Sequence, residues 1–183
     1  MAPSSFTLDD ELSALLADEG ASAQPMTPSP AVATRLSASV AHLERFAPHA
    51  SVAASAMGVT AGEARRALHQ LSDRDGWMEI PHLPGVRIRP VTVGSTAAPR
   101  EVVGALFAEV QPGRGLPRHA HRGAGDETMV VLQGALREVE RPAHIIGPGG
   151  SILSPEDSEH TLDAVGPDVC LCLVMHAGWA DYL

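Results

Sequence analysis

Residues 117–134, PRHAHRGAGDETMVVLQG, place two histidines one residue apart, then two adjacent acids, then an apolar run that reads as a strand. On an extended segment residues i and i+2 face the same side, so His119 and His121 present their imidazoles together. In the run that starts at Glu127, alternation gives one face to Glu127, Met129, Val131 and Gln133. Further on, SPEDSEH ends on His160, after a Gly-rich turn and a short strand-like stretch. Three imidazoles and one carboxylate make a four-donor cation site with room left for water or a small molecule. Imidazole suits zinc, copper, iron and nickel, and the carboxylate admits manganese. One divalent metal per chain is expected, with zinc keeping an open position as the default.

Other residues with chemical potential read differently. His42, His49, His69, His82 and His144 stand alone and are expected to be surface or hydrogen-bonded histidines. His176 shares strand parity with Cys170 and Cys172 but is not expected among the ligands. The two cysteines, at i and i+2 in DVCLCLVM, are expected to be buried thiols, because a disulfide between them would close a very short, strained ring. Arg118, Arg122 and Glu156 are the nearest charged candidates for a site mouth. GPGGS lacks the Gly-Lys-Ser/Thr ending of a phosphate loop. Ser151 and Ser158 lack a nucleophile elbow.

The elements that must hold these groups change character near Gly76. Before it, apolar spacing is helical. Leu8, Leu12, Leu15 and Leu16 form one stripe, Leu36, Val40, Leu43 and Phe46 a second, and Ala64, Ala67, Leu68 and Leu71 a third. Thr60 with Glu63 reads as a capping box for the last of these. The stripes are thin, so they are expected to pack on each other, on the rest of the chain or on a partner. After Gly76 the chain reads as strands over 77–80, 86–93, 102–110, 128–132, 136–140, 151–153 and 169–175, separated by turns such as HLPG, QPGRG, GPGG and VGPD. Many short strands at regular spacing indicate a sandwich or barrel. Two regions follow: a helical one over residues 1–75 and a β one over 76–183.

The 183 residues carry a net charge of −9, and every basic residue is an arginine. Such a chain lacks the electrostatic footprint for phosphate backbones, so no direct nucleic-acid contact is expected. AASAMGVTAGEARRAL has the rhythm of a helix-turn-helix, but residues 1–75 hold nine acids against five arginines. Two capped helices packing on their neighbours is the favoured reading. No run approaches the roughly 20 apolar residues of a membrane helix. Together with an N-terminus that carries no signal pattern, this leads to an expected cytoplasmic location.

The spacing around the site resembles the cupin family. Its first motif is Gly, five residues, His-x-His, three or four residues, Glu, six residues, Gly. Here Gly113, His119, His121, Glu127 and Gly134 match, except that five residues separate His121 from Glu127. RGAGD would have to loop out, and Asp126 fits the shorter spacing as a rival ligand; the distance to Gly134 favours Glu127. The second motif is matched by Gly149, Pro155 and His160, with Asp157 in the place of a glycine and Ala164 in that of an asparagine. The resemblance implies a mainly β fold, a cupin jelly-roll barrel (double-stranded β-helix) preceded by a small α-helical region, with the metal on His119, His121, Glu127 and His160.

A narrower resemblance uses more of the chain. A helical part, then GWMEIPHLPGVRIRPV, then HAHRGAGDETMVVLQG is similar to the ChrR-type anti-sigma factors. That resemblance implies a regulator whose barrel metal senses an oxidant or small ligand and whose partner is an ECF-type sigma factor. It also implies an N-terminal His-xxx-Cys-xx-Cys zinc motif, which is absent here, since no cysteine precedes Cys170. A homodimer is expected because cupin barrels hide a sheet edge by pairing. The other reading is an iron-dependent cupin dioxygenase acting on a small oxygenated substrate, with Glu127 as ligand or base.

Overall fold

The computed structural model describes residues 29–95, 98–122, 125–176 and 181–182. The predicted helix containing Leu8 to Leu16 lies outside these residues. Chain contacts separate residues 1–39 from residues 40–183. The first unit is described only where helix α1 (Pro30–Glu44) begins. There Ser29 Oγ accepts from Val32 N–H, and Pro30 takes the first helical position, where its missing N–H costs nothing.

In the second unit, α2 (Ala50–Met57) and α3 (Ala61–His69) are joined at Gly58, whose φ of 63° provides the left-handed residue that ends α2. The predicted capping box starts α3: Thr60 Oγ1 accepts from Glu63 N–H and the Glu63 carboxylate accepts from Thr60 N–H. Eleven strands follow among the described residues: β1 (Met78–Glu79), β2 (Val86–Ser95), β3 (Ala98–Val110), β4 (Gly115–Ala120), β5 (Glu127–Gln133), β6 (Ala135–Glu138), β7 (Ile145–Ile146), β8 (Ser151–Ser154), β9 (Glu159–Val165), β10 (Cys170–His176) and β11 (Asp181–Tyr182). They form a six-stranded sheet in the order β1-β2-β3-β10-β5-β8 and a five-stranded sheet in the order β11-β4-β9-β6-β7, with every recorded pair antiparallel. The fold is mainly β, with a few helices on the N-terminal side.

Two apolar clusters lie on opposite faces of the six-stranded sheet. Inside, Met129, Val131, Val110, Cys172 and Val174 meet Leu136 and Leu162 of the other sheet. Outside, Val130, Leu132, Phe107 and Leu173 meet Ala53, Met57, Ala67 and Leu68 of the helices. The thin stripe of α3, together with Ala53 and Met57 of α2, therefore finds its cover on the barrel. This accounts for the unbroken apolar run of β5: both faces are buried, so alternation of polar and apolar residues is lost. Arg65, within the stretch that has the helix-turn-helix rhythm, sits on Glu44 at 2.6 Å. No helix among the described residues is long and apolar enough to cross a membrane.

Candidate metal centre

Both sheets supply the site. His119 lies on β4, directly across from His160 on β9. His121 follows β4, and its N–H donates to the Ser158 carbonyl at 3.1 Å. Glu127 opens β5 in the other sheet, between Ser154 of β8 and His176 of β10. One donor atom from each of His119, His121, Glu127 and His160 lies within 4.8 Å of the others, and all four residues are buried. The packing of one sheet on the other brings Glu127 to the three rings.

The backbone turns that frame the site explain the motif glycines. Gly113, Gly134 and Gly149 all have positive φ, between 69° and 84°. At Gly134 an added Cβ would also meet the Val169 carbonyl oxygen at 2.8 Å. Asp157, in the position of a motif glycine, keeps the same conformation with φ 65°, the sole positive-φ non-glycine among the described residues.

Protons and lone pairs are then constrained. His119 Nδ1 is 2.8 Å from the Pro117 carbonyl, which can only accept. The ring therefore carries its proton on Nδ1 and turns a bare Nε2 to the cluster. That Nε2 is 2.9 Å from His160 Nε2, which is 3.3 Å from His121 Nε2. A single proton on His160 would have to serve both neighbours, whereas a cation engages all three lone pairs. Nitrogens about 2.1 Å from a tetrahedral ion stand ~3.4 Å apart, close to the spacing here. Ser154 Oγ, 3.2 Å from His160 Nδ1, can accept a hydrogen bond from Nδ1–H, the tautomer that leaves Nε2 free.

Electrostatics point the same way. Burial lowers the pKa of His119 and of His121, and the positive charges of His119 and His176 depress His121 further. Burial, then His119 and His121, push His160 down to about 4. The shifts favour neutral rings at neutral pH, the form in which imidazole can bind a metal. Burial pushes the Glu127 carboxyl up to about 7, and its Oε1 is buried without a hydrogen-bond partner. His121 Nε2 is 4.0 Å from that oxygen. A buried acceptor with nothing to accept, beside three convergent lone pairs, is the arrangement a divalent cation satisfies. The residues fit the group that the spacing implied: the cluster could hold one metal ion.

Each candidate can now be placed. The structure brings together His119, His121, Glu127 and His160, and leaves Asp126 out. Asp126 is exposed and accepts from Glu156 N–H at 2.9 Å. His176 lies across from Glu127 and acts on His121 through charge, but is not one of the four donors. Cys170 and Cys172 are free buried thiols with sulfurs 3.6 Å apart, and the Cys170 contact and burial push the Cys172 pKa up, leaving an unreactive thiol. Arg118 and Arg122 both sit on Glu159 rather than standing free at a mouth. Gln133 departs from expectation. The register slips between Leu171 and Cys172, so Gln133 pairs with Leu171 and leaves the face of Glu127. Sequence reasoning missed Ser154, although it shares parity with the inward Ile152. It also missed buried Glu138, held by His144 at 2.6 Å.

Residues 106–176 match the family model of the cupin domain, the segment that carries all four donors. The β fold is therefore that of a cupin barrel. Among curated proteins none matches the chain significantly. Among solved structures, an RmlC-like cupin protein from Ralstonia eutropha JMP134 is similar at 19% identity and TM-score 0.42, over 54% of this chain and 61% of that one. A chain of the complex of Rhodobacter sphaeroides SigE with the anti-sigma ChrR is similar at 20% identity and TM-score 0.47, over 94% of this chain and 75% of that one. The polyketide cyclase RemF from Streptomyces resistomycificus is similar at 23% identity and TM-score 0.43, over 58% and 76%.

Proposed function

We propose that the protein is a metal-binding cupin regulator of the ChrR type, holding one divalent cation, zinc by default, on His119, His121, Glu127 and His160. The observation that carries this reading is the buried convergence of three ring nitrogens on one unpartnered carboxylate oxygen. When bound, the cation supplies a Lewis-acidic open position for an oxidant or small ligand. Pro117 and Ser154 orient two of the rings, and Glu127 offsets the cation's charge. Burial of the donors keeps out large molecules, which suits a sensor better than an enzyme with a bulky substrate. Strand β5 gives a route outward: it begins at Glu127 and carries Val130 and Leu132 into the cluster beneath the helices. An ECF-type sigma factor as partner, a homodimer and a cytoplasmic location complete the proposal. The sequence resemblance supports the partner, and the helices would act without the N-terminal zinc motif.

Elemental analysis of protein purified without added metal tests the site. Wild type should carry one metal per chain and His119→Ala close to none; equal content in both would end the reading. On the partner side, co-expression with an ECF-type sigma factor encoded beside this gene should give a one-to-one complex.

The rival reading, an iron-dependent cupin dioxygenase, draws on Glu127, whose carboxyl near 7 could exchange a proton at neutral pH. Oxygen uptake by iron-loaded protein over a panel of diketones and thiols separates the two readings. A flat panel supports the regulator, and turnover with any member supports the enzyme.

A further inference from the structure

A cavity of about 500 Å³ opens on the outer face of the six-stranded sheet, away from the four donors. Its floor is a row of cross-strand neighbours in register, Arg87, Glu109, Leu171 and Gln133. Phe46 and Trp77 stand at its walls, in a chain whose aromatic content is only 3%. Arg45, Arg74 and Asp73 are among the other residues that line it.

The charges in this cavity are unevenly satisfied. Arg87 sits on Glu109 at 2.6 Å and lies over the Trp77 ring, 5.7 Å from its centroid. Glu109 also accepts from Gln111 at 2.8 Å, so its charge is already answered. Asp73 lies 3.6 Å from Arg89. Arg45 touches only the Phe46 ring, at 5.3 Å, and Arg74 has no ion pair or hydrogen bond among the described residues. Elsewhere in this acidic chain Arg65, Arg118, Arg122 and Arg137 are each seated on a carboxylate, while Arg66 and Arg114, outside this cavity's lining, are not among the described ion pairs. Two arginines without one therefore flank the same cavity. Gln133 donates its Nε2–H to the Val169 carbonyl at 3.0 Å, which leaves its Oε1 buried and without a partner. An unmet buried acceptor costs free energy until a donor reaches it.

These features specify a ligand by chemistry. Two guanidinium groups take a carboxylate. Aromatic walls and Leu171 take a flat apolar body. The orphaned Gln133 oxygen takes a hydroxyl or amino hydrogen. The volume is within the usual range for small-molecule sites. We propose that this cavity binds a small aromatic carboxylate with a hydroxyl or amino donor, held by Arg45 and Arg74 and read by Gln133. The site is independent of the metal and of the regulatory reading, and it would bridge the helical layer and the barrel.

Titration calorimetry with 4-hydroxybenzoate as the probe tests this, with 4-hydroxybenzyl alcohol as its neutral counterpart. One saturable site is expected for the acid, with no measurable heat from the alcohol at the same concentrations. Arg45→Gln with Arg74→Gln, both exposed positions, should keep the far-ultraviolet spectrum and melting temperature and weaken binding at least about tenfold, as expected for loss of hydrogen bonds to a charged group. Binding should persist after dialysis against EDTA, which excludes a carboxylate landing on the cation. No saturable heat, equal affinity for the alcohol, an unaffected double variant, or loss of binding with the metal would each overturn the proposal.

Discussion

On β5, Met129 and Val131 turn into the barrel while Val130 and Leu132 turn outward beneath α2 and α3. The same alternation separates Ala108 and Val110 from Phe107 on β3, and Cys172 and Val174 from Leu171 and Leu173 on β10. Neighbouring residues thus build two different interiors. The outer one is closed mainly by apolar contact, helix stripe on sheet, with Gln70 hydrogen-bonded to Thr92 and Arg89 at its edge. The inner one is apolar at Leu136 and Leu162 but ends at three imidazoles and a carboxyl removed from water. Burying an apolar side chain stabilises by itself; burying an acid and three rings costs free energy until something answers them. The outer interior should therefore set how firmly the protein folds, and the inner one how strongly that depends on a cation.

The sharpest way to break this division is Phe107→Ala. Phe107 has no exposed surface and sits in the outer cluster. Truncation there should cost about 3–5 kcal/mol in urea unfolding. The loss should be the same in metal-loaded and EDTA-treated protein, because Phe107 faces away from the site. A cost that changes by more than about 1 kcal/mol on adding metal would mean that the two faces are coupled.

The inner end makes the opposite prediction, through Glu127. Burial raises its pKa from 4.5 to about 7. For an acid, a raised folded-state value means that folding favours the protonated form. That contribution is whole below about 4.5 and is lost as pH rises through about 7. Metal-free wild type should thus lose roughly 3 kcal/mol across this window relative to Glu127→Gln, which stays neutral throughout. With metal the order inverts, since the cation requires the ionised carboxylate. Wild-type affinity should fall as pH drops below about 7, with about one proton released per metal bound, and Glu127→Gln should bind more weakly without that slope. Denaturant titrations at several pH values, with and without EDTA, measure both. A Glu127→Gln protein that matches wild type at every pH would remove the acid from the site.

Much of the inner end was legible because cation chemistry selects few residue types. His119 and His121 share a face by period alone, and Glu127 is held to its frame by its distance to Gly134. The two strands that carry histidines of the donor cluster were harder. β4, GLPRHA, and β9, EHTLDAV, fall outside the segments that the sequence marks as strands. In β4, Pro117 and Arg118 sit at a register shift that hides the alternation. In β9, His160, Leu162 and Ala164 are buried in strict alternation, but Thr161 and Asp163 dilute the apolar signal. Gln133 was misplaced because a bulge resets parity, and no single strand's sequence reports its partner's register. The outer interior was legible only in part. The stripe of α3 was visible and that of α2 was not, and nothing in the α3 stripe names the sheet as its cover.

The smallest expected effect concerns how the inner end is held in shape. Asp157 occupies a glycine position at φ 65°, in the turn between β8 and β9 that delivers His160, and its N–H points to the His121 carbonyl at 3.4 Å. Aspartate tolerates the left-handed region better than most residues. Asp157→Gly relieves the remaining strain but adds chain entropy to the unfolded state, so the two should nearly cancel, within about 0.5 kcal/mol. A β-branched residue meets the full steric cost, so Asp157→Val should lose about 1–2 kcal/mol of stability. If the turn sets the distance between His121 and His160, the valine variant should also bind metal more weakly, while the glycine variant keeps wild-type affinity. Equal metal affinity in both variants would show that the barrel walls, not this turn, fix the rings in place.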